Sequence, residues 1–514
     1  MTTSPTKSAR ITSLRSNTPP TGTSSVDRDH STGQHPQDER LPEGAPLVIG
    51  LLVVAAFVVI LNETIMSVAL PSLMVDLNIS TATAQWLTTG FLLTMAVVIP
   101  ATGFILQRFT TRQVFAAAMI LFSAGTAVAA IAPGFGVLLL GRVVQASGTA
   151  IMMPLLMTTV LNLVPAVRRG RLMGVISIVI AVAPAIGPTV SGLILSVLSW
   201  RWMFIIVLPI AIIALALGLW KITNVTTPRK APFDVASIVL STLAFGGLIY
   251  GLSSLGEAAE GSVPVPPWLA VGVGVLALAA FISRQLVLQR EDRALMDLRT
   301  FKSRSFVVSA IMISVSMMAL FGSLVVLPLY LQNVLELGTL QTGLLLLPGG
   351  VLMGILSPIV GRLFDRVGPR PLVIPGAFIV SIALWGMTTM LHEGTSVGWV
   401  IAVHMALNAG LALMFTPLMT SGLGSLDRSL YSHGSATVST LQQLAGAAGT
   451  ALFVTALSTT TATGLANGLS EVAATADGVQ TAFMIGGFIS LAAIIASFLV
   501  RRPTSTLPEG AIAH

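Results

Sequence analysis

The chain alternates between long apolar stretches and short polar segments from about residue 46 to residue 500. A helix needs ~20 largely apolar residues to cross a bilayer, because each residue adds only ~1.5 Å of rise. We therefore interpret each apolar stretch as one membrane-spanning helix. The predicted spans are 46–70, 82–106, 113–132, 136–163, 172–197, 202–222, 234–255, 267–286, 305–331, 341–362, 371–391, 397–421, 434–458 and 479–500. This pattern predicts an all-α membrane protein with about fourteen transmembrane helices.

Composition supports a membrane protein and excludes several other classes. Hydrophobic residues make up 54% of the chain and charged residues only 9%, whereas soluble proteins carry roughly 25% charged residues. The sequence has no cysteine, which excludes disulfides and thiolate metal sites. It also contains no phosphate-binding loop, no metal-ligand cluster and no nucleophile arrangement. We therefore expect neither an enzyme nor an ATP-driven pump, and neither a bound cofactor nor a metal.

The two ends of the chain differ from the apolar region between them. Residues 1–45 are rich in Ser, Thr, Pro and Gly, a composition that cannot bury enough apolar surface to fold. They lack the basic-plus-apolar layout of a cleaved signal peptide, so the first span is expected to remain in the membrane. We predict a disordered cytoplasmic tail at 1–45 and a short cytoplasmic tail at 501–514.

Basic residues indicate the orientation of the helices. The net charge of +7 would suggest a nucleic-acid partner in a soluble protein, but here the basic residues lie in alternate loops. They are Arg108, Arg112, Arg168, Arg169, Arg171, Arg229, Lys230, those within 290–304, Arg362, Arg366, Arg370, Arg501 and Arg502. The other loops, apart from Arg201, carry acids: Asp76, Glu257, Glu260, Glu336, Glu393, Glu471 and Asp477. Loops rich in Lys and Arg stay in the cytoplasm. We expect a plasma (inner) membrane protein with both termini cytoplasmic and no nucleic-acid partner.

One loop sequence occurs twice at a constant offset. The first copy, GFILQRFTTR, begins at Gly103, and the second, GRLFDRVGPR, begins at Gly361. Each copy follows the second helix of a predicted six-helix group, so the chain is interpreted as two six-helix halves. We place these halves at 46–223 and 305–500, with two inserted helices and a cytoplasmic linker at 224–304. Parallel halves of this kind occur in transporters that bind substrate near the midplane.

The second copy of the loop resembles the motif G-x-L-x-D-R-x-G-x-R of the major facilitator superfamily. The resemblance implies that fold and a loop that governs the switch between inward and outward states. The residues that carry this expectation are Gly103, Arg108, Arg112, Gly361, Asp365, Arg366, Gly368 and Arg370. The first copy departs from the motif, because Gln107 replaces the acid and Thr110 replaces the second glycine.

The first helix contains LNETIMSVALP at 61–71, which resembles the LDxTIVNVALP motif of the fourteen-helix drug:proton antiporter branch. Asn62 replaces the acid of the motif, and Glu63 follows one residue later, ~100° around the helix. Glu63 is the only acid well inside a predicted span, where a charge costs ~3 kcal/mol or more. We predict that Glu63 carries the coupled proton. The alternative is a side chain that reaches the outer surface near Asp76.

The fourth helix contains GRVVQASGTA at 141–150, which resembles the superfamily motif with an intramembrane arginine. Arg142, Gln145 and Thr149 share one helical face. We predict Glu63 as the partner of Arg142 in proton coupling. The alternative is that Arg142 lies at the outer helix end and reaches water.

The fifth helix contains APAIGPTVSG at 183–192, which resembles the antiporter motif G-P-x-x-G-G. The matching positions are Pro184, Gly187, Pro188, Ser191 and Gly192, with Ser191 in place of one glycine. Each proline removes a backbone donor and bends the helix. The resemblance implies an exporter rather than an importer.

Several polar side chains inside predicted spans are candidates for the substrate cavity. They are Asn62, Gln85, Trp86, Gln145, Thr149, His404, Asn408 and Gln442. For most of them, a hydrogen bond between two helices is an equally good explanation.

We expect a proton-coupled antiporter that exports small amphipathic drugs or toxic compounds by alternating access. The expected partners are the substrate, protons and membrane lipids, and the chain is expected to be a monomer. One alternative is export of a native amphiphile, such as a lipid, a peptide or a self-made antibiotic. Another is a non-transporting membrane sensor, which would need neither the duplicated loop nor Glu63.

Overall fold

The computed structural model describes residues 44–79, 81–165, 168–224, 228, 234–260 and 265–500. The tails predicted at 1–45 and 501–514 lie outside this part, apart from Gly44 and Ala45. The loop residues Arg229 and Lys230 also lie outside the described residues. Gln85 and Pro188 lie in helices, but their side chains are outside the described part.

The described residues form α-helices and three short 3₁₀ turns, with no strand among them. The helices are α1 Ala45–Leu77, α2 Thr81–Arg108, α3 Thr111–Ala130, α4 Phe135–Leu163, α5 Arg169–Val197, α6 Arg201–Lys221, α7 Val235–Glu260, α8 Pro267–Leu288, α9 Arg304–Asn333, α10 Thr339–Val367, α11 Arg370–Met390, α12 Val397–Gly424, α13 Tyr431–Ala466 and α14 Glu471–Ser497. Within these ranges, 13 helices are long and apolar enough to cross a membrane, and α5 makes 14 if its bent segments form one span. The predicted all-α membrane fold is confirmed.

Several helices extend beyond the predicted spans. The clearest case is α14, which begins at Glu471 rather than near 479, so Asp477 lies in a helix instead of a loop. The Ser470 side chain accepts the backbone N–H of Ala473 at 3.1 Å and caps this helix. Hydropathy marks the part of a helix inside hydrocarbon, whereas capping residues mark where the helix itself begins.

The helices are arranged as two bundles and an insert. Helices α1–α6 form one half and α9–α14 the other, and the halves meet through α2 with α13 and α5 with α10. These two contacts are equivalent under the internal repeat, since α10 and α13 are the second and fifth helices of their half. Helix α7 packs on α8 and also on α2 and α13, so the insert lies at one seam between the halves.

Contacts between loops separate the two ends of the helices. At the end we call the basic end, the Arg112 N–H donates to Asn224 Oδ1 at 3.3 Å and Arg370 Nε donates to the Val500 carbonyl at 2.8 Å. At the opposite end, the acidic end, Arg201 pairs with Asp76 at 3.0 Å. The alternating charge of the sequence therefore corresponds to two physical ends of the bundle.

Glycines bring α5 and α10 into direct backbone contact. A Cβ at Gly170 would lie 2.6 Å from the Gly361 carbonyl oxygen, and one at Gly361 would lie 2.2 Å from the Gly170 carbonyl oxygen. A Cβ at Gly174 would lie 2.5 Å from the Ser357 carbonyl oxygen. No side chain fits at these positions without separating the two helices, so the glycines bring the halves together at the basic end.

Polar contacts join the two helices of the insert to each other and to the linker that follows them. Arg284 donates two hydrogen bonds of 2.7 Å to Asp234 and holds the pKa of that carboxyl below its usual value. Gln285 donates to the Ser237 hydroxyl at 2.7 Å and accepts the backbone N–H of Leu295 at 2.8 Å. The linker after α8 is therefore fixed against the insert at the basic end.

Candidate functional site

A central cavity lies between the two halves. It has an empty volume of about 780 Å³ and is lined by α1, α2, α4 and α5 of one half and α9 and α13 of the other. Most of the lining is apolar, and methionines of both halves contribute, including Met95, Met152 and Met317. Methionine side chains are flexible and polarizable, so such a wall adapts to ligands of different shape. The insert helices contribute no described residue to this cavity.

Few polar side chains face the central cavity. Glu63 is the only acid among the described lining residues, and Thr149, Ser439, Gln442 and Gln443 supply the neutral polar groups. The buried Nε2 of Gln442 has no hydrogen-bond partner among the described residues, so it is available to a ligand. A ligand in the central cavity would therefore meet one carboxylate, one free amide donor and otherwise mainly apolar side chains.

Because Glu63 is one residue beyond the acid position of the motif, the side chains of Asn62 and Glu63 point to different sides of α1. Asn62 is 2% exposed and turns toward α4, where its Oδ1 accepts Arg142 Nη1 at 3.2 Å. Glu63 is half-buried and faces the central cavity. The ~100° between successive residues is the physical cause. The residue at the acid position of the motif contacts the arginine, and the acid itself faces the cavity.

Arg142 is held by neutral groups rather than by a carboxylate. Its Nη1 also donates to Gln145 Oε1 at 2.7 Å, and its guanidinium carbon lies 4.0 Å from the centre of the Phe91 ring. Gln145 Nε2 donates in turn to Thr126 Oγ1 at 2.7 Å, which extends the network to α3. The side chain is 1% exposed, so it does not reach water at the helix end.

The direct pairing of Glu63 with Arg142 is not present. No ion pair joins them in the part of the chain that the structure describes, although the two charges are close enough to interact electrostatically. The reason is geometric: Asn62 occupies the side of α1 that faces the guanidinium, and Glu63 points into the cavity. Arg142 therefore contacts the residue that precedes Glu63, and it shares no hydrogen bond with Glu63 itself in the described part of the chain.

The other predicted cavity residues divide into two groups. Thr149 and Gln442 line the central cavity, whereas Asn62 and Gln145 lie in the Arg142 network. Trp86 instead stacks on Tyr250 of the insert, with ring centres 5.9 Å apart. No pattern in the sequence predicted this contact with the insert.

His404 and Asn408 also lie away from the central cavity. They contact each other at 3.2 Å within α12 and pack against Gly349 of α10, where a Cβ would lie 2.5 Å from the His404 ring. They therefore belong to helix packing inside the second half. The lining residues missed from sequence are Ser439 and most of the apolar side chains, which a polar-residue search inside apolar spans does not distinguish from packing residues.

The antiporter segment of α5 packs against α1 beside Glu63. The segments Arg169–Pro184 and Thr189–Val197 are inclined by 40° to each other, at the prolines expected to bend the helix. A Cβ at Gly187 would lie 2.2 Å from Thr64 Oγ1, so glycine is required for this approach. Pro184 lines the central cavity, Ser191 Oγ contacts Met203 Sδ at 3.3 Å, and Gly192 has open space beside it.

The second copy of the repeated loop joins the halves at the basic end. Asp365 Oδ1 accepts the backbone N–H of Gly170 at 2.9 Å, and Oδ2 accepts that of Arg171 at 3.1 Å. These donors belong to the first turn of α5, where the helix dipole favours a negative charge. Gly368 ends α10 with a φ of 81°, a left-handed conformation that favours glycine. Arg366 is exposed at this loop.

The first copy of the loop also joins the two halves, but its side chain donates hydrogen bonds where Asp365 accepts them. Gln107 Nε2 donates to the Ser429 carbonyl and to Ser432 Oγ, both at 3.2 Å, at the start of α13. Gly103 lies close to α13 as well, since a Cβ there would be 3.0 Å from His433 Nδ1. Arg108 lies 5.8 Å from the Phe104 ring centre. The loss of the acid thus replaces an accepting group with a donating one, while the contact between the halves remains.

Further hydrogen bonds between the halves lie next to these loops. Thr158 donates to Ser435 Oγ at 3.2 Å, and Thr416 donates to Ser177 Oγ at 2.9 Å. Together with the Asp365 and Gln107 contacts, they close the central cavity toward the basic end.

Two parallel six-helix halves that enclose a cavity between them define a secondary transporter of the parallel-repeat class. The chain belongs to the Major Facilitator Superfamily, whose family model matches residues 52–450. It is accordingly a multi-pass membrane transporter and not an enzyme.

The chain is similar over most of its length to several bacterial transporters. It is 40% identical to an uncharacterized MFS-type transporter, YcnB, of Bacillus subtilis, over 90% of this chain and 97% of that protein. It is 43% identical to the lincomycin resistance protein LmrB of Listeria monocytogenes, over 88% of this chain and 96% of that protein. A multidrug resistance protein B homolog of Mycobacterium tuberculosis is 29% identical, over 82% and 78% of the two chains.

Solved structures share the fold. The human organic anion transporter MFSD10 (TETRAN) superposes with a TM-score of 0.62 at 14% identity, covering 90% of this chain and all of that one. The proton:xylose symporter XylE superposes with a TM-score of 0.59 at 16% identity, covering 88% and 96% of the two chains. At such low identity, these likenesses concern the fold alone.

Proposed function

We propose that this transporter is a proton-coupled antiporter that exports small amphipathic toxic compounds across the plasma membrane by alternating access. The observation that carries the proposal is Glu63, the only acid among the described residues of a central cavity that is closed at the basic end. The names of the relatives add support, since LmrB is a lincomycin resistance protein and another relative is a multidrug resistance protein B homolog. Neither a cofactor nor a metal is required, because the proton is the coupling ion.

Exchange of a proton for substrate at the Glu63 carboxylate would couple proton entry to substrate export. An ionised Glu63 attracts the cationic or polar part of a substrate, and protonation of Glu63 removes that attraction. Substrate and proton therefore compete for one group, and the halves reorient around it.

The contacts at the basic end supply the gate of this cycle. Asp365 and Gln107 hold the first turns of α5 and α13, and the α5–α10 glycines allow the halves to meet. Release of these contacts would open the cavity toward the basic end. Each chain contains its own complete cavity, so we propose a monomer in contact with membrane lipids.

The test of coupling is Glu63→Gln in proteoliposomes, with lincomycin as the probe. The amide mimics the protonated carboxyl, so we expect pH-gradient-driven export to be lost, and the binding of lincomycin to be weakened and to no longer depend on pH. Glu393→Gln, the same change on an exposed residue of the acidic end, is the matched control and should export normally. Normal export by Glu63→Gln would show that another group carries the proton.

The proposed orientation can be tested separately because the chain has no cysteine. We expect an impermeant maleimide to label Glu393→Cys, at the acidic end, on intact cells. Arg428→Cys, at the basic end, should be labelled only after the membrane is permeabilised. The reverse pattern would place the basic end and both termini outside the cytoplasm.

A further inference from the structure

A second cavity lies beside the central one, at the seam that the insert covers. It has an empty volume of about 640 Å³ and is formed by α2, α7, α9 and α13. Its wall includes Ile249 and Ser253 of the insert and Ala447, Thr450 and Val454 of α13. We call it the side cavity.

The side cavity and the central cavity share two wall residues, Phe321 and Gln443. The Phe321 ring covers Gly446, where a Cβ would lie 3.3 Å from the ring. Gln443 Nε2 reaches only a weak acceptor, Met95 Sδ, at 3.5 Å. The side chains of Phe321 and Gln443 therefore lie between the two cavities, and rotation of either side chain would change how far the cavities are separated.

The two cavities differ in chemistry. The side cavity has no charged residue in its described lining. The hydroxyl of Ser253 is already used, because it donates to the Ile249 carbonyl in its own helix. The central cavity, in contrast, contains the Glu63 carboxylate and the unpartnered Gln442 amide. One cavity suits an apolar group, and the other suits a cationic or polar group.

We propose that the side cavity is a subsite for the apolar tail of an amphipathic substrate whose cationic head lies beside Glu63 in the central cavity. The tail passes between Phe321 and Gln443, and helix α7 forms the outer wall of its site. This proposal rests on the proposed export function, because it requires the head to occupy the central cavity. It assigns the insert a direct role in substrate selection.

Single-cysteine labelling in nanodiscs tests the subsite without any need for proton-driven transport. Thr450→Cys reports on the side cavity and Thr149→Cys on the central cavity. Thr459→Cys, exposed on the same helix as Thr450, is the matched control. The probes are butyltrimethylammonium and dodecyltrimethylammonium, each used at ten times its own dissociation constant.

We expect both probes to slow maleimide labelling at position 149, by about tenfold at ten times their dissociation constants. Only the dodecyl compound should slow labelling at position 450, and neither should affect position 459. Protection at 149 without protection at 450 would overturn the subsite and leave the proposed function standing. Equal protection of 450 by the butyl compound would overturn the assignment of the tail. No protection at either position would overturn the subsite together with the proposed substrate class.

A filled cavity gives a second, independent measurement. Ala447→Phe places a ring in the side cavity, whereas Ala448→Phe adds the same ring at a neighbouring position that lines neither cavity. Burial of each additional methylene improves affinity about threefold to fourfold. The probes are alkyltrimethylammonium ions of increasing chain length. In Ala448→Phe, affinity should rise with each methylene up to the long chains. In Ala447→Phe, affinity should stop rising at short chains, because the added ring fills the side cavity. An unchanged gain in Ala447→Phe would overturn the proposal.

Discussion

The two halves share a fold but carry their charges at different depths. In the middle of the first half, Glu63 and Arg142 are charged groups inside the membrane, whereas the second half has the neutral amide of Asn408 beside His404. At the acidic end, the first half is joined by the ion pair of Arg201 with Asp76. There the second half uses a neutral contact, in which the Tyr330 hydroxyl donates to the His392 carbonyl at 2.8 Å.

At the basic end, the second half carries the charged contact and the first half the neutral one. The second half contributes the carboxylate of Asp365 to the contact between the halves, and the first half contributes the amide of Gln107. Duplication therefore explains the arrangement of helices but not the chemistry placed on them. We infer that the first half is specialised for the proton and that the second half supplies the gate carboxylate and the adaptable wall around Met317 and Phe321.

The largest effect is expected when the intramembrane acid is moved by one residue. The double variant Asn62→Asp/Glu63→Gln keeps one carboxylate but turns it toward Arg142, whose Nη1 already lies 3.2 Å from Asn62 Oδ1. A direct buried ion pair resists separation by roughly 3–5 kcal/mol, a factor of about a hundred or more in the protonation equilibrium. We expect export of lincomycin in proteoliposomes to fall to background while the protein remains folded.

The single variants separate the two contributions. Glu63→Gln should lose export for lack of an acid, whereas Asn62→Asp retains Glu63 and should keep part of the export. If the double variant exported like the parent, the direction of the carboxylate would not matter. The inferred specialisation of the first half would then be wrong.

The fold could be predicted from the sequence because each of its determinants is local. Helix number follows from apolar length, and the charge of loops such as 362–370 indicates which helix ends lie together. The side of the membrane that each end faces stays a prediction. The duplicated loop related the halves to each other. Helix ends were less accurate, as Glu471 shows, because capping groups continue a helix beyond the apolar residues that hydropathy detects.

The site could be predicted only in part, because it depends on the direction of side chains between helices. The sequence identified Glu63 and Arg142 as buried charges, but it could not tell that Asn62 would take the contact with Arg142. His404 and Asn408 have the same polarity as Gln442, yet only Gln442 faces the central cavity. Rotation about each helix axis decides such cases, and rotation is set by packing contacts with distant residues, such as that of Gly349 with His404.

A smaller effect is expected at the gate, where the carboxylate contact should be stronger than the amide contact. Asp365→Ala removes two hydrogen bonds to a charged acceptor at a helix N-terminus, each worth about 1.5–3 kcal/mol, whereas Gln107→Ala removes neutral ones worth about 0.5–1.5 kcal/mol. Because two hydrogen bonds of one side chain do not add in full, we count one bond for each residue. The basic end should then open at least about tenfold more often in Asp365→Ala and about threefold to tenfold in Gln107→Ala.

The opening can be measured by maleimide labelling of Thr158→Cys, since Thr158 is buried between the halves beside Ser435. The parent carrying only this cysteine gives the reference rate. Equal acceleration by the two gate variants would mean that the charge of Asp365 adds nothing to closure. The two copies of the loop would then be equivalent despite their different residues.

The smallest effect concerns the acidic end and appears only at low pH. Trp200 Nε1 donates to Asp76 at 2.8 Å and Arg201 donates at 3.0 Å, and these hydrogen bonds lower the pKa of Asp76. A lowered pKa in the folded state stabilises the protein above the unfolded pKa of about 3.9, and that contribution is lost as the pH falls through the folded value. We expect the thermal midpoint to fall more between pH 7 and pH 3 in the parent than in Asp76→Asn.

The second half provides the control for this measurement. The contact of Tyr330 with the His392 carbonyl is neutral, so Tyr330→Phe should lower the midpoint by a similar amount at both pH values. Asp76 is half exposed in its pair with Arg201, so solvent and salt screen the charge and the difference should shrink at high ionic strength. If Asp76→Asn showed the same pH dependence as the parent, the ion pair would contribute no more than the neutral contact. The charge difference between the halves would then matter only at the central cavity and at the gate.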